Sequence, residues 1–309
     1  MKKQGILLIV AFGCLVLFTL FMRQRNNTCV QTCPVNLTNL PETPTRIISL
    51  APNITEILFA IGLDEKIVAV SSDSDYPPQA AGKIKTGTFW QPNTEEIIAS
   101  KPDLIITEHI EQQKAIADTL STLGYRVLTL KIEKMPDLFA AIKEVGKTTG
   151  SNSQAEQLVE SIKQRINRLQ SKFSSNNKTR VLWVVQAEPL RVVGRDTFIN
   201  DLIEIAGGEN AIGTTLQYYP PIGTEEIIAC GAEVVIQSAM GSGDVAQQQK
   251  DAETFWTKFT NLPAVKNKRI YVIKADAILR LGPRLPEGIE TIAGFLHPEI
   301  ASHKQEVSN

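Results

Sequence analysis

The side chains that could carry out catalysis are few and scattered in this chain of 309 residues. A site in which three histidines hold a metal ion would need all of His109, His297 and His303, the last close to the C-terminus. The chain has no nucleophile elbow, phosphate-binding loop, dinucleotide-binding glycine pattern or H-E-x-x-H pair. We therefore predict that the protein is not an enzyme and holds no metal and no cofactor of its own.

Aromatic loops are better candidates for function, and two of them precede a hexapeptide that occurs twice. The sequence Thr-Glu-Glu-Ile-Ile-Ala spans residues 94–99 and recurs at residues 224–229. Trp90 lies shortly before the first copy and Tyr219 shortly before the second, each within two residues of a proline. Flat rings with polar edges suit a large planar ligand. We predict that Trp90 and Tyr219 contact such a ligand, with Tyr76 and Phe89 as further candidates.

Glu95 and Glu225 occupy the same position in the two copies, directly after a threonine that we expect to cap each helix. The helix dipole stabilises a carboxylate there. Equivalent glutamates on two related lobes would also form a matched pair of surface charges. Such a pair is complementary to a two-fold symmetric partner with basic sockets. We therefore predict that Glu95 and Glu225 dock a partner.

The flanks of the repeat predict an α/β fold, because short apolar runs alternate with helical patterns throughout the chain. We expect strands at 46–50, 67–70, 103–107, 126–130, 180–185, 233–237 and 269–273. We expect helices at 53–61, 94–100, 111–122, 136–149, 152–173, 198–206, 224–229, 248–258 and 286–296. The duplication favours two Rossmann-like lobes with parallel-rich sheets joined by a long helix. The alternative is one doubly wound sheet with an internal helical segment.

The chain divides into an exported body and an N-terminal segment. Residues 5–22 carry no charge and would form a helix of about 27 Å, enough to cross a membrane core. We favour an uncleaved membrane anchor over a cleaved signal peptide or a lipoprotein at Cys14. The predicted boundaries are 1–28 for the anchor or signal, 29–45 for a tether, 46–135 for the N-terminal lobe, 136–174 for a helical connector, 179–300 for the C-terminal lobe and 301–309 for a tail.

Composition and cysteine content limit the classes of partner. The formal net charge of −1 provides no basic field for nucleic acid, so we predict none and expect a monomer. Cys29 and Cys33 lie in the polar tether, where they are either a small disulfide outside the cytoplasm or two incidental thiols. Cys230 follows the second hexapeptide, and we expect it to be buried.

Several segments resemble the bacterial periplasmic binding proteins for cobalamin and ferric siderophores. The resemblance covers roughly residues 45–298 and is greatest to the cobalamin binders. Its segments are 46–56, 71–80, 90–91, 101–106, 207–210 and 282–299. It implies two α/β lobes joined by a rigid helix, with modest closure on a ligand between them. It also implies that Glu95 and Glu225 dock onto arginines of a dimeric ABC permease.

The resemblance also implies a ligand site, in which a proline and several aromatic residues surround a corrinoid. Pro52, Trp90 and Tyr219 match that set, and Asp276 matches an acidic position. Asp73, Glu108 and Arg191 stand where the family has aromatic residues. We therefore predict an extracytoplasmic binding protein that carries a corrinoid, with Asp73, Arg191 and Asp276 at the ligand's edge. The alternatives are haem or a ferric siderophore in the same class of protein, or an anchored sensor or corrinoid-processing enzyme.

Overall fold

The computed structural model describes residues 42–174, 177–239, 243–274, 278 and 280–298, all within one compact unit of the chain. The predicted anchor and most of the tether, including Cys29 and Cys33, lie outside the described residues, as does the predicted tail. Among the helices that the structure describes, none combines the length and the apolar character that a membrane span requires.

The first sheet contains five parallel strands in the order β3-β2-β1-β4-β5. Helices cross over between strands, as the alternating pattern predicts. The strands are β1 (Ile47–Ser49), β2 (Ile67–Val70), β3 (Ile84–Lys85), β4 (Leu104–Glu108) and β5 (Val127–Leu130). The helices are α1 (Pro52–Ala60), α2 (Thr94–Ala99) and α3 (Glu111–Thr122), with short 3-10 helices at Asp64–Lys66 and Pro78–Gly82.

Two antiparallel helices, α4 (Met135–Thr149) and α5 (Asn152–Phe173), lead from the first sheet to the second. The turn between them uses Gly150 in the left-handed region, with φ of 74°. Gly146 allows close contact, because an added Cβ there would lie 2.4 Å from the Ala155 Cβ. The apolar residues of α5 form one stripe, which is buried or half-buried at every position: Ala155, Leu158, Val159, Ile162, Ile166, Leu169 and Phe173.

The second sheet has the order β10-β9-β6-β7, and β8 pairs with the start of β6. The pairings are parallel except for β7, which runs antiparallel to β6. The strands are β6 (Thr179–Gln186), β7 (Arg191–Val192), β8 (Gly208–Asn210), β9 (Val234–Ser238) and β10 (Ile270–Ile273). The helices are α6 (Phe198–Ile205), α7 (Thr224–Ala229), α8 (Val245–Trp256), α9 (Pro263–Lys266) and α10 (Leu285–Leu296).

Both sheets are buried on both faces, as their continuous apolar strands require. Ile47 and Leu104 of the first sheet and Val181 and Trp183 of the second share one core, which continues through α4, α5, α6 and α10. The opposite faces form two separate cores, one around Ile48, Ile105 and Leu120 and one around Leu182, Val235 and Trp256. Because one core runs through the connector from sheet to sheet, we expect the lobes to move little relative to each other.

The predicted α/β class and the two parallel-rich sheets are confirmed, and the alternative of one doubly wound sheet is wrong. Each of the seven predicted strands and nine predicted helices is present within a few residues of its predicted bounds. The pattern missed the short elements β3, β7, β8 and α9 and the two 3-10 helices. The predicted boundaries of the lobes and the connector stay predictions.

Candidate functional site

The carboxyl ends of the parallel strands gather the predicted site residues at one edge of the first sheet. Pro52 follows β1, Asp73 and Tyr76 follow β2, Trp90 follows β3, and Glu108 ends β4. In open α/β sheets, ligands bind outside this edge. The edge is therefore the place where the first lobe can contribute to a ligand site.

The Trp90 loop is a tight turn that leaves the indole exposed. Thr88 N donates to Gln91 O at 3.1 Å, and Gly87 pairs with Pro92 as an isolated bridge. Gly87 has φ of 84°, and an added Cβ would lie 2.5 Å from Gln91 O, so only glycine fits this turn. Trp90 is 60% exposed and makes an edge-to-face contact with Phe89. The loop thus presents one aromatic face to solvent.

A hydrogen bond links the side chain of Asp73 to this loop. Phe89 N donates to Asp73 Oδ2 at 2.5 Å. Asp73 itself lies in a segment fixed by buried hydroxyls, since Ser74 Oγ bonds Ser71 Oγ at 2.8 Å and Thr55 Oγ1 at 2.9 Å. The position of the Trp90 loop therefore depends on Asp73.

Gln113, which the sequence interpretation missed, lies fully buried beneath the same loops. It bonds Leu50 O and Phe89 O through its Nε2 atom, each at 2.9 Å. Its Oε1 atom accepts from Glu108 N at 2.9 Å and from the hydroxyl of Thr107. One side chain thus contacts the chain after β1, the turn after β3 and the end of β4.

In the second lobe, Tyr219 lies in a segment that pairs with β7, whereas Trp90 lies in a tight turn. Residues 218–222 pair with β7 and its flanks, as Val192 N donates to Pro220 O at 3.1 Å and Gly194 N to Tyr218 O at 2.8 Å. Arg191 Nη1 donates to Tyr219 O at 3.1 Å. An added Cβ on Gly194 would lie 3.0 Å from Tyr218 O, so the close approach depends on glycine. Tyr219 is 37% exposed, and burial raises the pKa of its phenol.

The carboxyl edges of the two sheets face each other. Residues that follow β10 contact residues that follow β1 and β2: Asn53 Nδ2 lies 3.4 Å from Leu281 O, and Arg280 Nη1 lies 2.6 Å from Asp75 Oδ1. Burial alone would raise the pKa of Asp75, but the bond to Arg280 and the charges of Arg280 and Lys274 lower it. A cleft between two such edges is a favoured ligand site.

Glu108 lies half-buried at this edge and receives a hydrogen bond from Asn53. Asn53 Nδ2 donates to Glu108 Oε1 at 2.7 Å. Burial raises the pKa of Glu108, and the bond from Asn53 offsets this only in part. The edge therefore carries a carboxyl group whose pKa lies above that of an exposed glutamate.

The two Thr-Glu-Glu-Ile-Ile-Ala segments form helices α2 and α7, with both predicted docking glutamates, Glu95 and Glu225, exposed. The predicted threonine caps are wrong. Asn93 caps α2, because its Oδ1 accepts from Glu95 N at 3.0 Å and from Glu96 N at 3.3 Å. Gly223 precedes α7, and its N–H donates to Glu226 Oε2 at 3.0 Å. Short Asn, Gly and acidic residues compete well with threonine for these roles.

The remaining predicted residues have varied surroundings. Pro52 is buried in the first turn of α1, and Asp276 lies outside the described residues. Tyr76 packs under the guanidinium of Arg284, with 3.9 Å between Cζ and the ring centroid. Cys230 is buried as expected. No cluster of three or more metal-binding side chains occurs among the described residues.

Comparison with known proteins agrees with this geometry. The model of the periplasmic binding protein family matches residues 47–277. The ABC transporter substrate-binding lipoprotein YvrC of Bacillus subtilis is 30% identical over 264 residues, which cover 83% of this chain and 81% of the relative. A possible iron-binding periplasmic solute-binding protein from Staphylococcus epidermidis matches with a TM-score of 0.74 and 29% identity, over 82% of this chain and 99% of the other. The vitamin B12-binding protein BtuF of Vibrio cholerae matches with a TM-score of 0.70 and 26% identity, over 85% and 99% of the two chains.

Two α/β sheets whose carboxyl edges face each other, each with an exposed aromatic loop, define a two-lobed solute-binding protein. The chain belongs to the periplasmic binding protein family. It is a binding protein of the kind that serves ABC importers outside the cytoplasm.

Proposed function

We propose that this protein captures a corrinoid such as cobalamin between its lobes and delivers it to the dimeric permease of an ABC importer. The observation that carries the proposal is the placement of Trp90 and Tyr219. Both rings are exposed; Trp90 follows β3 at the carboxyl edge of the first sheet, and Tyr219 lies in the segment that pairs with β7, next to the carboxyl end of β6. Both loops are held by backbone pairing and by a close approach that requires glycine. Two fixed aromatic faces suit a large, nearly planar macrocycle.

The polar groups near these rings favour a ligand rich in amides. A corrinoid carries carboxamide side chains, whose N–H groups can donate to Asp73 or Glu108. Haem carries propionates, which a carboxylate at the same edge would repel. Since a site that leaves polar groups unpaired rejects a ligand strongly, these acidic residues support the corrinoid over haem. Pro52 and Asp276 remain part of the proposed site by resemblance to the cobalamin binders.

Delivery rests on the exposed glutamates of α2 and α7. Each helix begins directly after an aromatic loop, so Glu95 and Glu225 lie on the same side of their lobes as the ligand site. A permease dimer with arginine sockets related by a two-fold axis is complementary to this pair. Such charges guide association and register more than they add affinity.

Tryptophan fluorescence tests the ligand proposal. Trp183 and Trp256 are fully buried, whereas Trp90 is exposed, so a chromophore in the cleft should quench Trp90 most. Titration with cobinamide should quench the wild-type protein saturably and the Trp90→Phe variant much less. Equal quenching of both proteins would place the ligand elsewhere, and no quenching of either would contradict binding.

A second candidate is an iron chelate that carries carboxylates, within the same class of protein. Arg191 favours it, because a guanidinium at the cleft loop can pair with a carboxylate in a bidentate manner. Weaker binding of a carboxylate siderophore by Arg191→Gln, with cobinamide binding unchanged, would support this candidate. Unchanged affinity for both ligands would count against it.

A further inference from the structure

We infer that Gln113 is a positioning residue that fixes the first lobe's half of the ligand site. It holds three segments in one arrangement: the link between β1 and α1 at Leu50, the turn at Phe89 next to Trp90, and the end of β4 at Glu108. The inference rests on the proposed function, because it assigns these segments to the ligand site. Gln113 itself has no exposed surface and does not touch the ligand.

The amide of Gln113 uses its full hydrogen-bonding capacity within the protein. Its two N–H groups point to two carbonyl oxygens, Leu50 O and Phe89 O, at 2.9 Å each. Its oxygen accepts from Glu108 N at 2.9 Å and from the hydroxyl of Thr107. A primary amide has two donors and two acceptor sites, so all four are occupied.

No other side chain supplies this combination at the same length. A glutamate at position 113 has the same shape, but its carboxylate would face Leu50 O and Phe89 O without a proton to donate. A methionine would fill the space and leave both carbonyls without that partner in the protein interior. Only the protonated form of a glutamate restores one of the two donors.

The hydrogen bonds of Gln113 affect the orientation of Trp90 through the neighbouring peptide groups. Phe89 is held on both sides, since its N–H donates to Asp73 Oδ2 at 2.5 Å and its carbonyl accepts from Gln113. The Phe89 carbonyl belongs to the peptide bond that leads into Trp90. Because the Trp90 side chain is mostly exposed, its direction depends on this backbone. Loss of the Gln113 bonds should therefore loosen the turn that presents the indole.

The neighbouring Gln112 gives a matched control, because it is exposed on the same first turn of α3. The test uses the full-length protein with Gln113→Glu and Gln113→Met, compared with Gln112→Glu and Gln112→Met. The first measurement is the amide hydrogen exchange of residues 86–93 without ligand. The second is the affinity for cobinamide at about pH 5 and about pH 9, which we choose to lie on either side of the pKa of a buried carboxyl group.

We expect faster exchange of residues 86–93 in both Gln113 variants and wild-type exchange in both Gln112 variants. Gln113→Glu should bind cobinamide about 10-fold more weakly at the higher pH and regain part of that affinity at the lower pH, because the carboxyl then donates one bond again. Gln112→Glu adds the same charge at the surface, so it controls for a pH dependence that comes from the added charge alone.

Exchange and affinity of the Gln113 variants equal to those of the Gln112 variants would overturn the inference. If Gln113→Met does not fold, the test is the affinity of Gln113→Glu for cobinamide at the two pH values. Equal affinity at both pH values then overturns the inference. If the wild-type protein binds no cobinamide, the proposed ligand is wrong. The exchange of residues 86–93 then still tests Gln113 by itself.

Discussion

Arg284 and Glu56 form a bidentate ion pair that joins the last part of the chain to the first lobe. Arg284 Nε donates to Glu56 Oε2 at 2.9 Å, and Nη2 donates to Oε1 at 2.5 Å. Glu56 lies on α1 and is 4% exposed, and Arg284 directly precedes α10, which packs on α5 and α6. The pair therefore connects α1 of the first lobe to α10, which packs on the connector helix α5.

Replacing Arg284 by methionine should destabilise the protein strongly. It leaves Glu56 buried without its partner, and breaking a buried pair from one side costs about 3–5 kcal/mol. Chemical denaturation at neutral pH measures the free energy of unfolding. The exposed pair between Arg165 and Glu290, at 3.1 Å with both side chains 41% exposed, gives the control. Arg165→Met should cost less than about 1 kcal/mol.

The cost of Arg284→Met should also depend on pH. Burial raises the pKa of Glu56, although the bond to and the charge of Arg284 lower it. A carboxyl group whose pKa is higher in the folded state than in the unfolded state stabilises the fold when it is protonated. That stability is fully present below the pKa of the unfolded state and is lost as the pH rises through the pKa of the folded state. Loss of Arg284 raises the folded pKa further, so the variant should approach the wild type at acidic pH. A difference that stays constant with pH would contradict this account of the pair.

Glu108→Gln should change the pH dependence of stability in the opposite sense to Arg284→Met. Burial raises the pKa of Glu108, so the wild type loses stability as the pH rises through that folded pKa. Glutamine has the same shape and can still accept the bond from Asn53. The variant should therefore gain on the wild type towards neutral and alkaline pH, as measured by thermal unfolding across pH. Parallel pH profiles would show that Glu108 does not titrate at a raised pKa.

Removal of either exposed ring should weaken ligand binding with little effect on folding. Trp90→Ala and Tyr219→Ala should each weaken cobinamide binding by about 30-fold or more, because a buried aromatic anchor in an interface contributes about 2 kcal/mol or more. Isothermal titration calorimetry measures the affinities, and thermal unfolding checks the fold. Ile84→Ala serves as control, since Ile84 is an exposed apolar residue of β3. Affinities equal to that of the control would remove the two rings from the site.

Charge reversal at the docking glutamates should abolish uptake and leave ligand binding intact. Glu95→Lys with Glu225→Lys places two positive charges where we propose that the permease has basic sockets. Uptake of labelled cobalamin by cells and affinity of the purified protein are measured together. Glu96→Lys is the control, because Glu96 is exposed on the same first turn of α2. Normal uptake by the double variant would show that these residues do not dock the permease.

The sequence predicted elements that have a strong period and missed those that do not. Helix α5 was predictable because its apolar residues recur at helical spacing along its whole length. It has 22 residues, which make about six turns at 3.6 residues per turn. Strands β3 and β7 contain two residues each, too few to show an alternation. Asn93 was the available signal for the cap of α2, because asparagine followed three residues later by glutamate is typical of a helix start.

The candidate site residues also differ in whether a local sequence pattern could reveal them. The aromatic and proline residues beside the repeat made Trp90 and Tyr219 candidates, and their role in a ligand site stays a prediction. Gln113 was not, because it stands in the polar run 111–114, which looks like a solvated face until the fold buries it. Glu56 and Arg284 are 228 positions apart, and no local pattern links them. Contacts that depend on the packing of distant segments need the structure.

Calorimetric titration of the full-length protein with cobinamide, cobalamin, haem and a ferric siderophore tests the central claim most directly. The account predicts saturable one-to-one binding of a corrinoid, at least about 10-fold tighter than that of haem, which corresponds to about 1.4 kcal/mol. Absence of heat with both corrinoids, or tighter binding of haem or the siderophore, would contradict it.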